Sequence, residues 1–197
     1  MSDLAPALLL AAYAQGIFPM ADVATGEIRW YDPDPRGILP LESAHLSRRL
    51  ARIVGSGRFE IRVDTAFRAV MEACRTPRSG QTTDAQWISP QMIEAYTQLH
   101  QLGFAHSVET WRDGRLAGGL YGIALRGLFA GESVFNREPD AGKVALAHLI
   151  ERLRRGGFVL LDAQMVTPLT LGFGALEISR EAYKARLAQA LTVAAKF

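Results

Sequence analysis

A chain of 197 residues, 49% hydrophobic and 21% charged, is long enough to bury its own core and too apolar in composition to be disordered. Its net charge of +2 neither requires nor excludes a nucleic-acid partner, and its one cysteine, Cys74, rules out an intramolecular disulfide and a cysteine-based metal site. The apolar run 7–14 is too short to span a bilayer, and no Lys or Arg precedes Arg29 to begin a secretion signal, so a cytoplasmic protein with no membrane partner is expected.

In chain order, Asp3 is expected to cap a helix through Tyr13 that stops at Gly16, with Leu4, Leu8, Leu9 and Ala12 on one face. Ile28–Tyr31 reads as a short strand, and the following DPDPRG, with alternate prolines, as a rigid extended or turned segment. Ser43 is placed to cap a basic helix from His45 to about Val54. Phe59–Val63 reads as a strand ending at Asp64, which would cap a helix Thr65–Cys74. The polar stretch 76–86 reads as a mobile loop reaching Trp87. Ser89-Pro90 is a helix start, cap followed by proline, for a helix reaching Leu102 and closing at Gly103. Strands are expected at Ala105–Arg112, Arg115–Leu125 and Leu128–Ser133, with tight joints at Asp113-Gly114 and Arg126-Gly127. A polar loop, a helix Lys143–Arg155 and a strand Phe158–Leu161 complete a βαβ unit, followed by a broken segment 167–174 and a helix from Ser179 to about Ala194. From residue 90 onward this order is the α+β layout of N-acetyltransferase-like (GNAT-type) domains; residues 66–197 would form that domain and residues 1–65 a small N-terminal α/β subdomain.

The βαβ unit places Glu132, Asp162 and Gln164 where apolar strands end, a position at which ligands bind. The competing reading is that the acids cap turns or pair with arginines. Other chemistries fit poorly. His45, His100, His106 and His148 lack metal-ligand spacing. Ser133 is not in a nucleophile elbow, and Cys74 sits on an apolar helix face. A coenzyme A pyrophosphate needs glycine-rich backbone at the helix start, whereas NREPDAGK supplies Glu138 and Asp140, which repel it, and Pro139, which lacks a donor. No cofactor is therefore expected. Trp30, Tyr31 and Trp87 lie in or beside loops and can stack on a base or seal a boundary. Arg48, Arg49, Arg52 and Arg58, then Arg75 and Arg78, can track phosphates or form a solvated face.

Through LLLAAYAQGIFPM, IRWYDPDPRGILPLE, HLSRRL, AYTQLHQLGFAHSVETW, LAGGLYGIALRGLFAGESVF, DAQ and GALEISR, nearly its whole length, the chain resembles the leucyl/phenylalanyl-tRNA–protein transferases. The resemblance implies transfer of Leu or Phe, with Met as a further donor, from aminoacyl-tRNA to the α-amino group of proteins beginning with Arg or Lys, a mark for degradation. The donor is an activated ester, so neither ATP, metal nor coenzyme A is implied. By the same resemblance Asp162 and Gln164 hold and activate the acceptor amine, and Glu132 binds the cationic acceptor residue or assists. Trp87, Tyr96 and Met20 match positions near the tRNA 3′ end, and Leu120, Phe129, Val134 and Leu149 a pocket for the donor side chain. Arg48, Arg49 and Arg52 are the expected phosphate contacts. The chain departs from the family's pattern at Met20 (Trp), Val134 (Met), Asn136 (Ser) and Gly142 (Ser), and it lacks the His and Ser usual within 167–172. It also starts later and ends earlier than the longer members. Two alternatives remain open at this point: a degenerate relative that binds tRNA or N-termini without turnover, and a coenzyme A-dependent N-acyltransferase.

Overall fold

The computed structural model describes residues 4–76 and 87–197; Asp3, Arg78 and the loop expected at 76–86, from residue 77 on, lie outside the described residues. The elements are α1 (Pro6–Ala14), β1 (Phe18–Ala21), β2 (Ile28–Tyr31), β3 (Arg36–Ile38), α2 (Arg48–Gly55), β4 (Glu60–Val63), α3 (Phe67–Arg75), α4 (Pro90–Gln101), β5 (Ala105–Arg112), β6 (Arg115–Leu125), β7 (Leu128–Asn136), α5 (Ala141–Gly156), β8 (Leu160–Gln164), α6 (Pro168–Leu171), β9 (Leu176–Ile178) and α7 (Arg180–Ala190). The class is α+β. β1 and β2 pair as a hairpin of their own, and the remaining strands form one sheet in the order β4-β5-β6-β7-β8-β3-β9. Every pairing in that sheet is antiparallel except β7 with β8, which α5 joins as the expected crossover.

The sheet is covered on both faces. Tyr13, Met71, Met92 and Tyr96 from the N-terminal helices pack on one face with Phe18 and Tyr121. Leu50, Leu146, Leu149 and Leu153 from α2 and α5 pack on the other with Leu120 and Phe129. Burial on both sides explains why β6 is apolar or glycine from Leu116 onward and shows no alternation. Of residues 1–65, the β1–β2 hairpin stands outside the large sheet, while β3 and β4 are strands of it.

Several local expectations are corrected. The basic helix begins at Arg48 and is capped by Ser47, whose hydroxyl accepts from the Leu50 N–H; Ser43 is not its cap. Asp64 does not cap α3. Its carboxylate is bonded by the Ser107 N–H and paired with His106, and Glu109 instead accepts the Thr65 and Ala66 N–H groups ahead of that helix. The segment DPDPRG bends at Asp34-Pro35 and leads into a strand, β3, inserted between β8 and β9. Ser89 caps α4 as expected, and Ser179 caps α7, each hydroxyl accepting from the N–H three residues on.

Candidate active site

Two irregularities shape the site. Along β6 and β7, Tyr121 pairs with Ser133 and Gly122 with Gly131, so Glu132 is the extra residue of a bulge. Along β3 and β8, Gly37 pairs with Gln164 and Ile38 with Asp162, leaving Ala163 unpaired, and Gln164 adopts a left-handed backbone with φ 60°. The parallel ladder between β7 and β8 ends at Ala130 and Asp162. Glu132, Asp162 and Gln164 therefore all lie within strands, β7 continuing past Ser133 to Asn136 and β8 past the expected end at Leu161 to Gln164. They stand where two adjacent strands part company.

A cavity of about 530 Å³ opens at that place. Glu132, Ser133 and Val134 from β7, Asp162 and Ala163 from β8, Leu120 and Tyr121 from β6, and Leu146 and Leu149 from α5 line it, with Met165 and residues 167–170 at the α6 side. It is mostly apolar with one carboxyl end, the form of a site that holds a hydrophobic group beside a reacting centre. Phe129, expected on the lining, is instead buried in an aromatic stack with Phe158 and Phe197.

The carboxylates of that end differ sharply. Asp162 is 1% exposed and accepts four hydrogen bonds. Its Oδ1 receives Arg36 Nε at 2.9 Å and the Gln164 N–H at 2.8 Å; its Oδ2 receives Arg36 Nη2 at 2.6 Å and the Tyr183 hydroxyl at 2.7 Å. Glu132 receives Gln164 Nε2 on Oε1 at 2.9 Å, while its buried Oε2 accepts no hydrogen bond among the described residues. Burial pushes the Glu132 carboxyl up from 4.5 to about 8. The Tyr13 hydroxyl favours the anion from nearby, the Asp162 charge raises the value further, and Arg36 and Gln164 lower it. Tyr13 and Tyr96 share a hydroxyl–hydroxyl contact of 2.5 Å, and both phenols, like Tyr121, are held well above their usual range by burial and by the Glu132 charge. Gln164 is not on the cavity wall. It holds Glu132 from behind.

The remaining predicted residues sit as follows. Tyr96 is fully buried; Trp87 and Met20 are half-buried against the same core, and the Trp87 carbonyl accepts the Ala21 N–H. Arg48, Arg49 and Arg52 are exposed on α2, with Arg49 engaged by Asp140 in two hydrogen bonds of 3.1 and 2.6 Å. Glu138 and Asp140, read as repelling a pyrophosphate, pair with Arg58 and Arg112 and with Arg49 and Lys143. The departures at 136 and 142 explain each other. Asn136 Oδ1 accepts the Gly142 N–H at 2.6 Å, and a Cβ at Gly142 would stand 2.7 Å from Val134 Cγ1. Thr167 and Thr170, near the missing His and Ser, form a capping box that starts α6.

Sequence reasoning missed Arg36, Tyr183 and Tyr13. An arginine in a Pro-rich segment carries no periodic signal, and its partner is 126 residues away.

Comparison with known proteins gives a consistent result. The family model described as leucyl/phenylalanyl-tRNA protein transferase matches residues 38–188, and that of the N-terminal domain of leucyl/phenylalanyl-tRNA protein transferase matches residues 2–34. The chain is 54% identical to a leucyl/phenylalanyl-tRNA–protein transferase of Herpetosiphon aurantiacus, covering 98% of each chain, and 52% identical to one of Paramagnetospirillum magneticum, covering 100% of this chain and 94% of the other. Among solved structures, a conserved protein of unknown function from Bacteroides thetaiotaomicron has a TM-score of 0.53 at 9% identity, over 83% of this chain and 59% of that one. A GCN5-related N-acetyltransferase from Kribbella flavida has a TM-score of 0.44 at 13% identity, over 75% of this chain and 55% of that one.

Proposed function

Because this chain belongs to the leucyl/phenylalanyl-tRNA–protein transferase family, we propose that it joins Leu, Phe or Met from aminoacyl-tRNA to the α-amino group of cytoplasmic proteins beginning with Arg or Lys. In this reaction the amine attacks the ester carbonyl carbon and a C–N bond forms. The ester C–O bond then breaks, and the tRNA ribose oxygen leaves with a proton. The ester carries the driving force, so the protein has to supply orientation, a neutral amine and a place for the displaced proton.

The single observation that carries this reading is Glu132, a buried carboxyl at the polar end of an apolar cavity, with one oxygen that accepts no hydrogen bond of good geometry among the described residues and its ionisation raised to about 8. An α-amino group ionises at about 7.7–8.0, so the two are matched for proton exchange near neutrality. Glu132 takes the proton, Gln164 orients it, and Asp162 fixes Gln164. The cavity walls Leu120, Val134 and Leu149 receive the donor side chain. Trp87, with Met20 and Tyr96 behind it, receives the tRNA 3′ end, and Arg48, Arg49 and Arg52 its phosphates.

The test is transfer of labelled Leu, Phe or Met from charged tRNA to a peptide starting with Arg or Lys. Transfer is expected; no transfer with any donor, from folded protein, overturns the reading. Binding of charged tRNA without transfer would select the degenerate relative suggested by the loss of His and Ser within 167–172. The coenzyme A reading is left with a helix start whose Gly142 N–H is taken by Asn136 and whose Asp140 carries negative charge. A rise in melting temperature with acetyl-coenzyme A would revive it.

A further inference from the structure

Arg36 is the largest fully buried side chain among the described residues. Its guanidinium lies between two rings, 4.9 Å from the Phe18 centroid and 4.3 Å from that of Tyr183. Nη1 donates to the Gly16 carbonyl at 2.8 Å, and Nε and Nη2 make a bidentate fork on Asp162. One side chain from β3 thus collects the turn after α1, strand β1, strand β8 and helix α7. Such burial is costly for a cation, and hydrophobic residues of similar volume would serve a purely structural role as well or better.

What the fork holds is informative. Asp162 Oδ1, fixed by Arg36 Nε, accepts the N–H of Gln164, the residue whose left-handed backbone turns its side chain toward Glu132. Gly37, next to Arg36 and across from Gln164, is constrained to have no side chain, since a Cβ there would come within 2.8 Å of the Met165 backbone. From this chain of contacts we infer that Arg36 is a positioning residue for the transfer reaction, acting through the Asp162 carboxylate and the Gln164 amide on Glu132. Asp162, with each oxygen already accepting two hydrogen bonds, is a second positioning residue and not the group that receives the proton. This assignment rests on the reaction proposed above.

The pair also acts on Glu132 electrostatically. Facing that carboxyl are Tyr13 from α1, Tyr96 from α4, Tyr121 from β6, Asp162 and Gln164 from β8 and Arg36 from β3, with Cys74 of α3 beside Tyr121. Of these, Asp162 and Arg36 carry opposed charges with opposed effects on Glu132. Removing one alone should shift its ionisation, and removing both should restore it.

The experiment compares Arg36→Gln, Asp162→Asn, the double variant and Arg36→Lys in the transfer assay across pH 6–10. Each single neutralisation is expected to lower kcat about 10²-fold with KM for charged tRNA unchanged. The acidic limb of the rate should move up in Arg36→Gln, down in Asp162→Asn, and return near the wild-type position in the double variant. The limb due to the acceptor's own ammonium is the same in all of them. The double variant should lose no more kcat than the worse single one, and Arg36→Lys, which keeps the charge but not the fork, should keep the limb and lose part of kcat. Unchanged kcat in Arg36→Gln, limbs that move together or not at all, or multiplicative losses would overturn the assignment. A single variant that fails to fold leaves the decision to the neutral double variant and Arg36→Lys. If the wild-type protein transfers nothing, the proposed reaction fails by itself, and ¹³C titration of the Glu132 carboxyl in the same variants still tests whether Arg36 and Asp162 set its ionisation in opposite directions.

Discussion

Two buried glutamates of this protein lie on strands that flank β6, one on β5 and one on β7, and have opposite surroundings. Glu109, on β5, is fully buried and surrounded by donors: the Thr65 and Ala66 N–H groups, the Thr65 and Ser107 hydroxyls and the Trp111 indole N–H. Glu132, at the β7 bulge, has the Gln164 amide on one oxygen, while the other accepts no hydrogen bond of good geometry among the described residues and has only the Tyr13 hydroxyl nearby to favour its anion. A carboxylate supplied with that many donors has been spent on structure, here on tying the start of α3 to the sheet. One left short of donors, beside a cavity, retains capacity for a proton or a cationic guest. The unsatisfied oxygen marks chemistry more clearly than burial does, since both side chains are buried.

The contrast can be broken in several ways. The largest effect is expected from Glu132→Gln, which keeps the shape and removes the proton acceptor: kcat for transfer should fall about 10²–10⁴-fold, while Glu109→Gln should leave kcat per folded molecule unchanged. Steady-state kinetics on both variants checks this, and equal losses would erase the distinction.

The second effect concerns stability. Because the folded Glu132 ionises near 8 and the unfolded one near 4.5, the native state holds a proton that the unfolded state has released between those values. Its contribution is therefore fully present below about pH 4.5 and is lost as pH rises through 8, about 5 kcal/mol as an upper bound. Glu132→Gln should be flat across that range, so its urea-melt advantage over wild type should grow with pH. A constant difference from pH 5 to 8.5 would show that the carboxyl ionises normally.

Glu109→Gln should lose about 2–3 kcal/mol near neutral pH, since an amide presents donors to donors. On the cavity side, Leu149→Ala should enlarge the apolar wall and shift the Phe:Leu ratio of kcat/KM toward Phe by about tenfold. The smallest effect belongs to the Arg49–Asp140 pair, where Arg49→Ala should cost about 0–1 kcal/mol in thermal unfolding, because the Arg49 partner is exposed to solvent and Lys143 still pairs with Asp140.

Much of this molecule was legible as sequence. The βαβ unit, the helix starting at Ser89-Pro90 and the hairpin joints at Asp113 and Arg126 depend on local chemistry: caps, turn residues and periodicity. Both turn residues do adopt positive φ. Glu132, Asp162 and Gln164 were found because they interrupt apolar runs. Short elements were harder to read. β3 and β9, each of three residues, are too brief for a period and exist because they complete the sheet beside β8. Phe129 was assigned to the pocket through the family resemblance, which does not say which face of a doubly buried strand a side chain takes; it lies buried among Phe158 and Phe197.

The sequence by itself determined the apolar cavity-forming strands and which acids interrupt them, because burial preference and strand period are properties of neighbouring residues. The tertiary structure alone decided which acid is free. Whether a carboxylate meets an arginine from β3 and a phenol from α7, as Asp162 does, or a single amide, as Glu132 does, depends on donors that arrive from distant parts of the chain. Hydrogen-bond saturation is set by those meetings, and no local pattern encodes it.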